Sequence, residues 1–584
     1  MIKRLFREML VTQILSSMTV TLCMLVDSIM IGRFLGVDSM SAYGFATPLL
    51  LVFAALGSMI SAGVQVVCGK TIGNGDREGT DACFSVSVLL AVGISVVGLS
   101  LVFALLHPLT TLLGAGRPSP DNTVFTLTEN YIKGFILGAP AFLCAQIMIP
   151  YLQLSGKRTR LIVAVLVMTV SDIAFDFLNV FVFHGGTFGM GLASTLSYYF
   201  AFLVGVAYFF RKDCMFRFRI RLIRGKVCRS LLTYGVPTVL NQISTVLLVL
   251  LLNRLLESSS GTVAVAAYSV ISTIGNICYC FGTGIGSVAM MLASVFYTDR
   301  DRSAIRELVK LMSIYAIVLD AAITALGVLA AKPLVALFLG ADAAAVALAA
   351  VGLRLFLLSI VPSSLNSSFK NYYQGVERIG LAEVISVLQN LIYPILFSYV
   401  LSRFFGIIGI WLGFVCGEAA ALITFSVVVW RHRGRITLSA DAYSMLKRDF
   451  GTKPEDCLLC LIQSERDAAD ASEQATRFCL LHGLSRRESM LIGLCIEEMT
   501  VNIVRYGFGA DRKTHHIDVR LVIEPDGSVI RIRDDCRNFD PVHYLSLHET
   551  TDPTAHIGIR MVMKTVKEAN YLNSLGWNNL TLTF

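Results

Sequence analysis

About twelve apolar windows, each about 20 residues long, follow one another up to Arg435, and nothing else in the chain narrows its possible folds as much. A run of that length crosses the hydrocarbon core of a bilayer as a helix, and lipid leaves a spanning segment few other conformations. The windows centre near residues 20, 58, 95, 142, 172, 200, 242, 280, 320, 362, 390 and 418. With 15% charged and 55% hydrophobic residues over 584 positions, most of the chain is predicted to lie in a membrane. The first run, residues 9–31, is longer than a signal-peptide core and lacks a small-residue cleavage pattern, so it reads as a retained helix. Fourteen cysteines are scattered singly through apolar stretches, as reduced, buried thiols would be. Cys457 and Cys460 have metal-type spacing, but no second pair or histidine cluster follows at zinc-site distance.

Charge orders these windows. Lys3, Arg4 and Arg7, then Lys70 and Arg77, Lys157, Arg158 and Arg160, the run at 211–229, Arg300, Arg302 and Arg306, and "RHRGR" all fall on one side. By the positive-inside tendency that side, with both termini, is cytoplasmic, in a plasma (inner) membrane. The halves also echo each other. Gly36, Ala42, Tyr43, Gly57, Asp76 and Arg77 recur at one constant offset as Gly261, Ala267, Tyr268, Gly282, Asp301 and Arg302. Two repeats, each with an even number of helices, run in the same direction and can rock about a midplane cavity.

After "RHRGR" the texture changes to about 17 Lys plus Arg against about 21 Asp plus Glu, the balance of a soluble domain. Strands are predicted at 457–464, 516–524, 528–535 and 578–584, with helices at 467–483, 486–508 and 557–569. The predicted fold is therefore a polytopic α-helical membrane protein of about twelve transmembrane helices in two pseudo-repeated lobes, followed by a cytoplasmic two-layer α/β domain. The boundaries are 1–215 for the first lobe, 216–435 for the second, 436–454 for a linker and 455–584 for the soluble domain. The basic excess belongs to the membrane part, and no nucleic-acid partner is expected.

Ionisable groups within spanning segments are costly and mark function by default. Asp27, Asp172 and Asp176 stand in the first half; Asp320, with Glu418 and Glu383 nearer segment ends, in the second. Asp172 and Asp176 are one helical turn apart on one face. Two carboxylates that close in a low-dielectric cavity hold a proton or a cation between them. The alternative is that they are packing polars bonded to Asn179 or Thr169.

"LVDSIMIGRFLG", "SDIAFDFLNVFVFHGGTFGMGLAS" and the loop pattern "YLQLSGKRTR", echoed by "YYQGVER", together resemble multidrug and toxic compound extrusion (MATE) transporters over residues 1 to about 430. The resemblance implies a two-lobe antiporter that exports organic, often cationic, drug-like molecules in exchange for H+ or Na+. Asp27 and Asp176 match the family's first-lobe acids and would ligate Na+ if sodium is the coupling ion, and Asp172 replaces the usual Asn. Asn179 completes the ion-coupling set. Some relatives use a Glu in the seventh helix, but "YGVPTVLNQISTVLL" has none, which places coupling in the first lobe.

"EEMTVN", "IRDDCRNFDP" and "TAHIGIRMV" in that order resemble the N-, G1- and G2-boxes of the Bergerat ATPase fold, closest to anti-sigma-factor serine kinases. This implies Glu498 as general base, Asn502 as the Mg2+ ligand, Asp534 as partner of the adenine amino group and Gly558 in the phosphate-side loop, with ATP and Mg2+ as cofactors. Cys536, Ala555 and His556 stand where glycines are usual, and Tyr506 where histidine is frequent. A degenerate domain that binds a regulatory protein remains the alternative there. Besides an antiporter tuned by its soluble domain, two further functions stay open: a membrane-tethered serine kinase or partner-switching regulator, and a flippase for lipid-linked substrates. The soluble domain's acidic surface is expected to dock on the basic run at 211–229.

Overall fold

The computed structural model describes residues 2–115, 122–211, 214–339, 343–447, 450–452, 454–509, 515–524, 527–547 and 557–584. Among them nine helices are long and apolar enough to cross a membrane, and two bent helix pairs, Thr123–Ile136 with Ala139–Leu154 and Val346–Leu357 with Ile360–Gly375, bring the number to eleven. One of the nine, Ile379–Arg433, has 55 residues. At about 1.5 Å per residue it would reach over about 80 Å, far beyond one bilayer core. It folds back at Gly406 (φ 57°, ψ −136°), a left-handed conformation open to glycine, and beyond the fold Gly413 lies against Ser398 and Gly417 against Pro394. Counted as two passes, it completes twelve.

The repeat survives in backbone detail. Gly75 and Arg300, both at positive φ (69° and 51°), occupy the same place in the two halves. The aspartates that follow cap the next helices: Asp76 Oδ1 accepts from Gly79 N at 2.8 Å, and Asp301 Oδ1 from Ala304 N at 3.0 Å. Between the lobes, Val37–Gly73 lies along Gly225–Thr298, and small residues permit the approach. A Cβ on Gly63 would meet Leu231 O at 2.2 Å, and one on Gly69 would meet Ser294 Oγ at 1.9 Å. These contacts fall in the end of the bundle that carries the soluble domain.

That domain has five strands, β1 (Cys457–Ile462), β2 (Ile517–Glu524), β3 (Gly527–Asp534), β4 (Glu568–Ser574) and β5 (Trp577–Thr583), all antiparallel in the order β1-β2-β3-β5-β4. Two helices cover one face. Glu465–Leu481 is capped by Ser464, and Arg486–Gly507 starts with a Ser485/Glu488 capping box. Ala468, Ala471, Ile492, Ile496 and Met499 pack there against Val519, Leu521, Ile530, Ile532, Leu580 and Leu582. The helix expected over 557–569 stops at Thr565, because Glu568–Ser574 is an edge strand. Its sequence, "EANYLNS", is polar as edge strands often are, so it carries little alternation to read. A two-residue turn with positive φ at Leu575 (58°) and Gly576 (82°) joins it to β5. Cys457 and Cys460 lie three apart on β1, so their side chains project to opposite faces. None of the fourteen cysteines is in a disulfide.

The linker is fastened to the second lobe. Asp441 pairs with Arg302, Arg306 and Arg433, Tyr372 donates to Ser444 O at 3.0 Å, and Tyr443, Met445 and Leu446 are buried in the membrane core.

Candidate functional site

Asp27 from the first helix and Asp172 and Asp176 from Arg158–Leu178 are all buried and converge in the first lobe. Ser197 Oγ donates to Asp172 Oδ1 at 2.9 Å and Ser194 Oγ to Asp27 Oδ2 at 3.4 Å. Asp27 and Asp176 face each other within hydrogen-bonding range. Neither oxygen of Asp176 meets a donor among the described residues, and one oxygen each of Asp27 and Asp172 is equally without one. Buried acceptors without donors are costly, and a proton or a cation would satisfy several of them at once. Tyr43, Tyr131 and Tyr198 stand around the cluster. Immediately beyond Asp27 and Asp176 the helices widen into π turns, Ile31–Leu35 and Asn179–Phe183, a distortion common at functional positions. Asn179 begins the second of these. Its amide donates to Gly186 O at 3.1 Å, and it lies so close to Gly189 that a Cβ there would touch its Oδ1 at 1.7 Å, fastening the turn between two spans.

The second lobe holds a polar network around Glu418, of which the sequence showed only Glu418 and, apart from it, Asp320. Asn366 Nδ2 donates to Glu418 Oε2 at 2.9 Å and Gln389 Nε2 to Oε1 at 3.4 Å. Lys370 Nζ donates to Asn241 Oδ1 at 2.6 Å, and Asn390 Nδ2 reaches the same oxygen at 2.9 Å. Asp320 is fully buried with both oxygens undonated among the described residues. The sequence signal for it is a lysine within the weakly apolar "SSLNSSFKNYYQG".

In the soluble domain, Glu498 and Asn502 lie one turn apart on Arg486–Gly507. Gly558 opens the helix Ile557–Thr565 directly on Glu498: a Cβ there would come 2.0 Å from Glu498 Oε2. Asp534 ends β3, nine-tenths or more buried, and its Oδ1 accepts from Cys536 N at 2.9 Å and from Asn578 Nδ2 at 2.8 Å. Burial pushes the Asp534 carboxyl above its usual range, against the pull of those donors. Asn578 was not singled out from sequence; its only signal is a place on the neighbouring strand opposite Asp534. Cys536 packs against Gly507. Ala555 and His556 lie outside the described residues. The carboxylate-amide pair, the buried strand-end aspartate and the close glycine fit the donor set that a magnesium nucleotide requires.

The sheet's other face meets the membrane part. Arg531 Nη1 lies 3.2 Å from Asp299 Oδ1, Arg533 pairs with the other oxygen, and Arg520 Nη1 lies 3.4 Å from Asp301 Oδ2. Burial alone would raise the Asp301 carboxyl, but Arg520, the Ala304 amide and Ser303 hold it below the usual range. At the first lobe, Leu575 N donates to Leu154 O at 2.5 Å, Arg158 Nη2 to Leu575 O at 3.0 Å, and Gly156 touches Gly576. Arg4 Nη1 pairs with Asp535 at 3.1 Å. Leu572, Leu575 and Trp577 belong to the apolar core of the membrane part. This docking corrects the expected one: basic residues of the domain meet aspartates of the second lobe, instead of acidic residues meeting the run at 211–229.

Comparison with known families and structures agrees with this architecture. The MatE family model matches residues 13–178 and 237–400, and the histidine kinase-like ATPase domain model matches residues 463–584. No curated protein matches the chain. Among solved structures, a MATE in complex with MaL6 aligns with TM-score 0.68 at 19% identity, covering 72% of this chain and 94% of its own. A multidrug resistance MATE family transporter of the MOP superfamily, in an outward-facing conformation, aligns with TM-score 0.67 at 19% identity over the same shares. A mutant of the Vibrio cholerae MATE transporter VcmN gives TM-score 0.67 at 19% identity, covering 72% and 95%.

Proposed function

The chain belongs to the MatE family of multidrug-type efflux transporters and carries a histidine kinase-like ATPase domain behind the transporter, and from that premise we propose that it is an ion-driven antiporter for organic cations, coupled at Asp27, Asp172 and Asp176 and tuned by its C-terminal domain. The observation that carries the coupling site is the convergence of three buried carboxylates with four oxygens undonated among the described residues. A bound H+ or Na+ occupies the cluster in one half of the cycle, and the cationic cargo competes for the same negative charge in the other. The lysine and arginine bias puts both termini and the soluble domain in the cytoplasm. Efflux of a fluorescent cation from vesicles, under separately imposed proton and sodium gradients, tests the reading and names the ion; transport under neither gradient overturns it.

The domain's part follows from where it docks. One body touches the turn at Asp299–Asp301 in the second lobe and the turn at Leu154–Gly156 in the first, at the end where the lobes pack closely. Rocking that separates these ends has to break one set of contacts, so docking favours the state with the cytoplasmic ends together. Glu498, Asn502, Asp534 and Gly558 would hold ATP with Mg2+, which supplies a ligand-dependent bias on docking. Arg533 and Asp535 flank Asp534, linking the candidate nucleotide site to the contacts with both Asp299 and Arg4.

A further inference from the structure

On the outer flank of the first lobe a cavity of about 560 Å³ lies between the third, fourth and sixth spans, within the size range of small-molecule sites. Its walls are apolar, among them Val88, Val92, Ile147, Phe202 and Val206, and among the described residues no carboxylate lines it. Arg211 and Arg217 of the segment joining the two lobes stand at its mouth. That mouth is at the soluble-domain end of the bundle, where the third span begins at Arg77 and the fourth ends at Leu154 beside Leu575.

The joining segment is held in place by its backbone, one buried ring and two of its arginines. Arg217 N donates to Asp81 Oδ1 at 2.8 Å and Arg219 N to Ser85 Oγ at 2.8 Å. Phe216 is buried against Tyr151 (ring centroids 4.7 Å) and Phe84 (5.8 Å). Around this anchor Phe210, Phe218 and Ile220 are 85%, 51% and 73% exposed, an arrangement that water would penalise and an acyl layer would not. Arg219 and Arg224 are paired with Asp81 and Glu78, whereas Arg211, Arg217 and Arg221 form no ion pair among the described residues. Asp81, already paired with Arg219, lies within Coulombic reach of Arg217 as well, so the segment carries more positive than negative charge, and exposed aromatics interleaved with such arginines at the level where spans leave the bilayer match the chemistry of an interface rich in anionic headgroups.

We propose that this cavity binds an anionic phospholipid from the leaflet on the soluble-domain side, its acyl chain between the third, fourth and sixth spans and its phosphate on Arg211 and Arg217. A described lining of apolar side chains and two arginines sets the cavity apart from the carboxylate cluster at Asp176 and disfavours a cationic cargo. Full-length protein in mild detergent, loaded with phosphatidylglycerol or phosphatidylcholine of identical chains and examined by native mass spectrometry, tests it. Wild type is expected to retain phosphatidylglycerol selectively, with retention unaffected by added inorganic phosphate. R211Q/R217Q should lose roughly fivefold in retention for each arginine removed, R211K/R217K should keep most of it, and V88W, which fills the cavity and leaves the arginines, should lose it. Equal retention of the two lipids by wild type, displacement by phosphate alone, or wild-type retention in both V88W and R211Q/R217Q overturns the proposal. Should the glutamine pair fail to fold, V88W and the lysine pair decide.

Discussion

Among the described residues no lysine or arginine pairs with Asp27 or Asp176, so on the proposed reading a proton or a cation, and not an ion pair, sustains their proximity. Asn in place of Asp keeps the shape but neither exchanges a proton nor offers full charge to sodium. D176N is therefore expected to cut gradient-driven efflux to below about a tenth of wild type, with normal insertion and thermal stability; wild-type rates under both gradients would place the site elsewhere. D172N, whose lost carboxylate already has Ser197 as a donor, should be milder in the same vesicle assay. These residues were legible in the sequence because a charge inside an apolar window stands out. Lys370 stood out equally and was passed over, and Asn366, Gln389 and Asn241 could not be seen at all, because amides in spanning helices become a network only once four helices bring them together.

At the level of the element, alternation along β2 and β3 decides what the sheet can touch. Val519, Leu521, Ile530 and Ile532 go to the helices, which leaves Arg520, Arg531 and Arg533 on the opposite face. The domain's net charge is mildly acidic, but docking depends on the charge of one face, and summing over the domain gave the wrong sign. The strand pattern itself was readable; β4 was not, since an edge strand with polar residues resembles the end of a helix. The Asp299 side chain is 2% exposed, so R531A/R533A would strand it uncompensated, at about 3–5 kcal/mol for a buried pair broken on one side. Detachment of the domain, read as faster proteolysis of the linker, is expected, and D299R combined with R531D/R533D should partly restore attachment. Asp301 adds a pH dependence. Because Arg520 of the docked domain is the largest of the groups that hold its carboxyl down, the share of the lowering due to docking contributes fully above the ordinary carboxylate range and is lost as pH falls through the docked value. Asp518, raised by burial, works the other way. D301N should therefore weaken attachment at neutral pH and remove the loss on acidification.

For the whole molecule the question is what a nucleotide-type domain adds to a transporter that, on the proposed reading, an ion gradient already drives. Twelve passes, two repeats and a C-terminal two-layer domain could be read from hydropathy, charge and the constant offset, since each is a property of the chain taken in order. The clamp across both lobes could not, because Asp299, Leu154, Leu575 and Arg533 are far apart in sequence and belong to surfaces with no periodicity of their own. Energetically the clamp shifts an equilibrium and powers nothing: it can change the balance between conformations only by the difference in its binding to each. N502A and D534A are thus expected to abolish nucleotide binding, measured by calorimetry on the full-length protein, while exchange of drug for ion continues. Their mark should be a lost response to nucleotide added on the soluble-domain side, with the basal rate within about twofold of wild type. R531A/R533A should also lose that response yet still bind nucleotide, because it cuts the connection and spares the candidate pocket. If wild type binds no nucleotide, the domain instead reads a protein partner through the same clamp; if transport stops without ATP hydrolysis, the gradient-driven assignment falls.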